Sequence, residues 1–251
     1  MPFLSHAGVS LRYDRAGAGP AVLLIHGWCF NRTVWERQVS ALRDRHTAIT
    51  VDVRGHGESS HPRSGYTLGA LVGDLEHLVR ALNVPRIALV GWSMGAGLAV
   101  ELAARLGERA SALALVGAGA PDAKKTAEMK AQIADDFRAF VRQLAPTLFK
   151  EGAASPLLSW AVSQMQKTPA HVAAACFDLG LPDAPASLKK LKLPTAVFHG
   201  SHDTFASLED AQSTAKLVKG AKLTVFEESA HAPHLEEPDR FNEALAKLLS
   251  D

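Results

Sequence analysis

An apolar run from Ile87 to Val90 leads directly into Gly91-Trp92-Ser93-Met94-Gly95, and a stretch with helical spacing continues from Met94 to Leu106. A strand that becomes a helix at one residue needs a very tight turn, and glycines on either side let the two backbones pass without a Cβ clash. Such a turn lifts the Ser93 hydroxyl out of the sheet. A serine hydroxyl is a weak nucleophile unless a base takes its proton and amide donors receive the charge that develops on the substrate. Glycine-rich pentapeptides also occur in ordinary turns, so the reading depends on what the other strand ends carry.

At 251 residues the chain suits a single domain with one large core and room for an insertion. Lys and Arg number 27 and Asp and Glu 26, a net charge of +1, so no overall field favours nucleic acid or an anionic membrane. The two cysteines, Cys29 and Cys176, show neither metal-ligand spacing nor a disulfide framework, and the histidines show no ligand spacing. No metal or cofactor is implied. The amino terminus lacks a signal-peptide layout and no apolar run approaches the roughly 18 residues of a membrane span, so the expectation is a cytoplasmic protein.

Taken in order, Val9 to Tyr13 alternates like a half-exposed edge strand, and Ala21 to Ile25 is apolar throughout, like a strand covered on both faces. Thr33-Val34-Trp35-Glu36 has capping-box spacing and predicts a helix to about Arg43. Thr47 to Val53 reads as a strand, and a helix follows from Leu68 until Asn83-Val84-Pro85 stops it. Ala112 to Val116, Thr195 to His199 and Leu223 to Phe226 are further strands, with helices near Leu208 to Val218 and from Pro238. This alternation predicts an α/β fold with a mostly parallel sheet and helices on both faces. Between about Pro121 and Leu191 the pattern is helical only, with Phe137, Phe140, Val141 and Leu144 on one face, a short helix from Leu157 to Met165, and Pro182 punctuating the return. The expected division is a core of residues 1–120 and 192–251 and a helical cap of 121–191 over the C-terminal edge of the sheet.

Two further loops follow predicted strands and open at the edge that carries Ser93: His199-Gly200-Ser201-His202-Asp203, and Ser229-Ala230-His231-Ala232-Pro233-His234. Histidine and aspartate are the residue types that would deprotonate a serine and orient the base, and their order in the chain is Ser, Asp, His. With His26-Gly27-Trp28, Trp35 and Asp52-Val53-Arg54-Gly55-His56-Gly57-Glu58-Ser59, these motifs cover nearly the whole chain outside the cap, and the sequence resembles the α/β-hydrolase family. The resemblance implies an α/β-hydrolase fold, a triad of Ser93, Asp203 and His231, and an oxyanion hole made by the backbone N–H groups of Trp28 and Met94. It further implies acyl transfer to Ser93. Serine at this position, where an aspartate would stand, argues against a dehalogenase-like or epoxide-hydrolase-like chemistry. One departure is Ala96, where many relatives have a second glycine.

Competing readings remain at several positions. Asp203 could cap the following helix, and His234 competes with His231 as the base. His26 reads as a support of the oxyanion loop, Cys29 as a small apolar filler, and His56, His61 and His202 as exposed loop residues. Within the family the chain is similar to the carboxylesterases that cleave pimeloyl-carrier-protein methyl esters in biotin synthesis, while general esterases, lactonases and cofactor-free perhydrolases share the motifs. A ligand receptor on a hydrolase fold is the alternative of another class. The expected substrate contacts are Trp28, Phe137, Phe140, Val141 and Leu144, and Arg138 and Arg142, four apart on one helix face, form the candidate docking patch for an acidic acyl carrier protein.

Overall fold

The computed structural model describes residues 2–119, 123–179 and 184–250, so Pro121 and Pro182 lie outside the described residues. The chain runs β1 (Phe3–His6), β2 (Val9–Ala16), β3 (Ala21–Ile25), α1 (Glu36–Leu42), β4 (Thr47–Val51), α2 (Leu68–Ala81), β5 (Ile87–Trp92), α3 (Met94–Leu106) and β6 (Ala110–Val116). Helices α4 (Ala123–Leu144), α5 (Leu158–Met165), α6 (Ala170–Ala175) and α7 (Ala184–Lys190) follow, with no strand among the described residues of this stretch. Then come β7 (Thr195–Gly200), α8 (Leu208–Leu217), β8 (Lys222–Phe226), α9 (Pro233–Glu236) and α10 (Pro238–Ser250).

The described strands form one eight-stranded sheet in the order β1-β2-β4-β3-β5-β6-β7-β8. The first two pairings are antiparallel and the rest parallel. Strand β3 is apolar at every position because each of its faces meets its own helical layer. From β3, Leu23 and Ile25 join Leu71 and Leu75 of α2 and Leu98 and Leu102 of α3, whereas Val22 and Leu24 join Trp35, Phe241 and Leu245. Each such side chain contributes about 1.5–3 kcal/mol through burial. Helix α2 starts where the Thr67 hydroxyl accepts from Ala70 N–H and ends before Asn83, whose φ of 52° is left-handed.

Three local expectations are corrected. Strand β2 is an interior strand: Phe3–His6 pairs with it through the tight Ala7-Gly8 turn, where both residues have positive φ, so β1 is the edge. The segment after β3 is capped by Asn31, which accepts from Thr33 N–H at 3.0 Å, so a 3-10 turn over Arg32–Trp35 precedes α1 and the Thr33 capping box does not form. Strand β4 ends at Val51: Asp52 N–H still donates to Arg12 O at 2.8 Å, and its carboxylate receives the backbone N–H groups of Arg32 and Glu58.

In the sheet β3 lies between β4 and β5, so the chain reverses its winding direction there and the loops after β3 and β5 diverge over a crevice. The insertion between β6 and β7 closes this crevice. Its long helix α4 breaks at Asp136 (φ −146°, ψ 95°), whose carboxylate accepts from Ala139 N–H and restarts the helix with Phe137, Phe140 and Val141 buried. Among the described residues no helix is long and apolar enough to cross a membrane.

Candidate active site

Ser93 sits between β5 and α3 with φ 54° and ψ −116°, a backbone that residues with a Cβ rarely adopt. Its N–H donates to Val116 O at 2.9 Å, which anchors the strained residue to the neighbouring strand. A Cβ on Gly91 would lie 2.2 Å from Gly95 O, and one on Gly95 would lie 2.4 Å from Ile25 O. Both obstacles are backbone atoms, so the turn admits only glycine at these two positions.

The loop after β3 carries Trp28, and Met94 opens α3, where first-turn N–H groups have no helical acceptor. Neither the Trp28 nor the Met94 N–H donates to a described residue, and both residues line the same cavity as Ser93. His26 fixes the loop: Nδ1–H donates to Gly27 O at 2.8 Å and Nε2 accepts Val53 N–H at 3.0 Å. A carbonyl can only accept and an N–H only donate, so this is the neutral tautomer. Burial lowers the His26 pKa to about 4 against the opposing bond to Gly27. His56, expected on the surface, is fully buried beside His26, and burial followed by His26 lowers its pKa to about 3. Cys29 is buried at φ 59°, and desolvation pushes its thiol well up, which keeps it protonated.

His231 follows β8, and its Nδ1–H donates to Asp203 Oδ2 at 2.8 Å. Asp203 does two things at once. Its other oxygen accepts from Phe205 N–H at 2.8 Å and Ala206 N–H at 3.2 Å, which pins its own loop, whereas the following helix α8 is capped by Ser207 and not by Asp203. Burial pushes its carboxyl up, but His231 and those two N–H groups outweigh burial and hold it below the ordinary carboxylate value. The His231 carbonyl accepts from the Trp92 indole at 2.8 Å, and its N–H donates to Leu148 O at 3.1 Å. His234 is placed elsewhere: it is fully buried between the rings of Trp35 (4.4 Å) and Trp92 (4.7 Å), with neither ring nitrogen bonded to a described residue.

Ser93, His231, Trp28 and Met94 meet at a cavity of about 260 Å³. The insertion closes it with Leu144, Leu148, Met165 and Phe177, and no charged side chain among the described residues lines it. Of the helix face expected to meet substrate, only Leu144 reaches the cavity. Phe137 and Phe140 pack edge-on against the Trp28 ring, at 6.4 and 6.1 Å, and Val141 is wholly buried behind them. Trp28 is held from the insertion by its indole N–H, which donates to Ala173 O at 2.9 Å. Leu148, Met165 and Phe177 carry no motif, and only the predicted short helix ending at Met165 pointed towards one of them. Ser93 Oγ forms no hydrogen bond among the described residues, although it shares the cavity with His231. No group of three or more His, Cys, Asp or Glu among the described residues is arranged to hold a metal ion.

Comparison with known proteins gives matches over the same span. A putative non-heme chloroperoxidase of Synechocystis is 29% identical, over 97% of this chain and 96% of that protein. A pimeloyl-[acyl-carrier protein] methyl ester esterase of Nitrosomonas europaea is 26% identical over 92% of this chain and 96% of its own length. The solved structure of an esterase from Exiguobacterium antarcticum superposes with a TM-score of 0.93 at 25% identity, covering 99% of each chain. The family model for the alpha/beta hydrolase fold matches residues 20–238, and with the sheet order and elbow described above the chain belongs to the α/β-hydrolase family.

Proposed function

We propose that this protein is a serine carboxylesterase that works through an acyl-enzyme, with residues 121–191 acting as a cap that selects the substrate. The observation that carries the reading is the 2.8 Å bond from His231 to Asp203 beside a serine held at positive φ on the same cavity. Ser93 Oγ attacks the ester carbonyl carbon while His231 Nε2 takes its proton, and Asp203 stabilises the imidazolium. The N–H groups of Trp28 and Met94 receive the oxyanion. As the tetrahedral intermediate collapses, His231 returns the proton to the departing alcohol, and water then releases the acid by the same steps. The Ser93 to His231 hydrogen bond is one that free enzymes often complete only with substrate in place.

The uncharged lining favours an apolar acyl group. A cavity of about 260 Å³ suits a short acyl chain or an aromatic acid. Lactonase or perhydrolase chemistry would use the same nucleophile, and a pure ligand receptor would show no repeated turnover. A panel of p-nitrophenyl, methyl, lactone and carrier-linked esters tests this. Ser93→Ala should lose several orders of magnitude in kcat while staying folded, and wild-type turnover by a folded Ser93→Ala protein would refute the proposal.

A pimeloyl-carrier-protein methyl ester is the specific candidate, favoured by the relative of that name and by Arg138 and Arg142, both exposed on the segment after Asp136. Such charges mainly speed encounter. Reversing both to Glu should lower kcat/KM for a carrier-linked ester at low salt and leave a small free ester untouched; equal effects would remove the carrier from the proposal.

A further inference from the structure

Two segments far apart in sequence are fastened together at the cavity wall. His231 N–H donates to Leu148 O, and Leu148 itself lines the cavity. Two residues further on, Lys150 N–H donates to Glu236 Oε1 at 2.7 Å, while Ala230 N–H, just before His231, donates to Glu236 Oε2 at 2.8 Å. The Lys150 ammonium pairs with Glu228 of the histidine loop. Glu237 holds the other side of that loop, accepting from Glu228 N–H at 3.0 Å and the Ser229 hydroxyl at 2.6 Å.

Each oxygen of Glu236 therefore serves a backbone donor from a different segment, one at Lys150, two residues past the cavity-lining Leu148, and one at Ala230 beside the histidine. Glu236 belongs to the single-turn helix α9, and both of its carboxylate oxygens are taken up by backbone donors outside that helix. Burial, aided by Glu237, raises its pKa, and the N–H groups of Lys150, Ala230 and Ala232 oppose that rise.

We propose that Glu236 is a positioning residue, a strap that ties the histidine loop to the cavity wall at Leu148 so that filling the cavity and aligning His231 are one event. The proposal rests on the reading of His231 as the base. A glutamine at position 236 keeps one acceptor but turns an NH2 group towards the second N–H, which breaks one arm of the strap.

The test compares p-nitrophenyl acetate with p-nitrophenyl hexanoate, whose longer acyl chain fills more of the cavity that Leu148 lines, with turnover expressed per active site counted by stoichiometric organophosphate labelling. Glu236→Gln should lower kcat/KM for hexanoate about ten- to hundredfold, the scale of a small misplacement of a catalytic group, and lower it several times less for acetate. Glu236→Asp, charged but one methylene shorter, should fall between and carries the same comparison if the Gln variant does not fold. Unchanged kinetics per site, or an equal fall on both esters, overturns the strap, since a merely structural role removes active sites without changing the ratio. Ser93→Ala in parallel keeps the two claims apart: surviving turnover there refutes the esterase reading, whereas loss there with no effect at Glu236 refutes the strap alone.

Discussion

Acid should loosen the loop that carries Trp28 before it neutralises Asp203, and His26 gives the scale of the effect. Protonation would place a hydrogen on Nε2, where Val53 N–H already points at 3.0 Å, and would charge a fully buried ring 5.1 Å from the His56 ring. Burial is what lowers the His26 pKa from 6.5 to about 4. The unfolded chain therefore binds this proton first. The stability contributed by neutral His26 is fully present above about pH 6.5 and is lost as the pH falls from there towards about 4. At about 1.4 kcal/mol per pH unit, the fall from 6.5 to about 4 is about 3 kcal/mol, a large share of the roughly 5–15 kcal/mol that holds a typical domain together. Asp203 behaves differently. Its depressed pKa keeps it ionised throughout this window, and its contribution is lost only at lower pH. The assay is urea denaturation followed by tryptophan fluorescence at several pH values between about 7.5 and 4.5, for the wild type and His26→Gln, whose amide can accept from Val53 without titrating. The variant should lose about 2–3 kcal/mol less than the wild type over this range. Parallel pH dependences would refute the assignment of a buried neutral His26.

Three further outcomes follow from contacts described above. Gly95→Ala brings a Cβ to 2.4 Å from the Ile25 carbonyl, so it should destabilise by at least the 1–3 kcal/mol of an overpacked core and abolish labelling of Ser93, as thermal melts and organophosphate titration would show. Arg54→Met leaves Asp74, 2% exposed and paired to Arg54 at 2.7 Å, as an unpaired buried charge, and should cost about 3–5 kcal/mol in urea titrations; Arg54→Met with Asp74→Leu should recover most of it. His234→Phe should keep most of kcat, because its ring nitrogens are unbonded among the described residues and the ring packs between tryptophans, whereas His231→Ala should lose orders of magnitude; the reverse ranking would exchange their roles.

What could be read from the sequence was what depends on neighbours along the chain. The run from Ile87 through Gly95 specifies much of its own turn, because a Cβ on Gly91 would meet Gly95 O within the motif, whereas the clash that excludes a side chain at Gly95 is with Ile25 O on the neighbouring strand. Apolar runs such as Ala21–Ile25 announced buried strands, since both faces of a central strand are covered. Edges and ends were harder. Phe3–His6 has half-exposed positions and becomes a strand only through its pairing with Val9–Arg12, and Asn31 takes the cap in place of Thr33 because its side chain reaches the Thr33 N–H from two residues earlier. The cavity wall was least legible. The face of Phe137, Phe140 and Val141 was correctly apolar, but it serves to pack the insertion on Trp28, and periodicity cannot distinguish packing on protein from packing on a ligand. His56 was misplaced for a related reason: a histidine in a polar, glycine-rich loop reads as exposed unless the burial of its neighbours is known.

The two halves of the site are held by different forces, and this determines which half substrate can influence. The elbow is fixed by backbone atoms that would stand 2.2–2.4 Å from any added Cβ, contacts that no rotamer change relieves, so Ser93 either has its position or loses it. The histidine loop is held by N–H donors from Trp92, Ala230 and His231 itself, each worth about 1 kcal/mol net, and can shift by tenths of an ångström at small cost. A general base must come within about 2.6–3.2 Å of the proton it takes, so the more yielding half carries the tighter geometric demand. Two of its attachments lead into the insertion, at Leu148 and Lys150, and none of those described leads to α3. On the proposed mechanism, pressure from an acyl group at Leu148 therefore bears first on His231, with a link towards the elbow through the Trp92 indole on the His231 carbonyl, and changes in the insertion should alter proton transfer more than the position of Ser93.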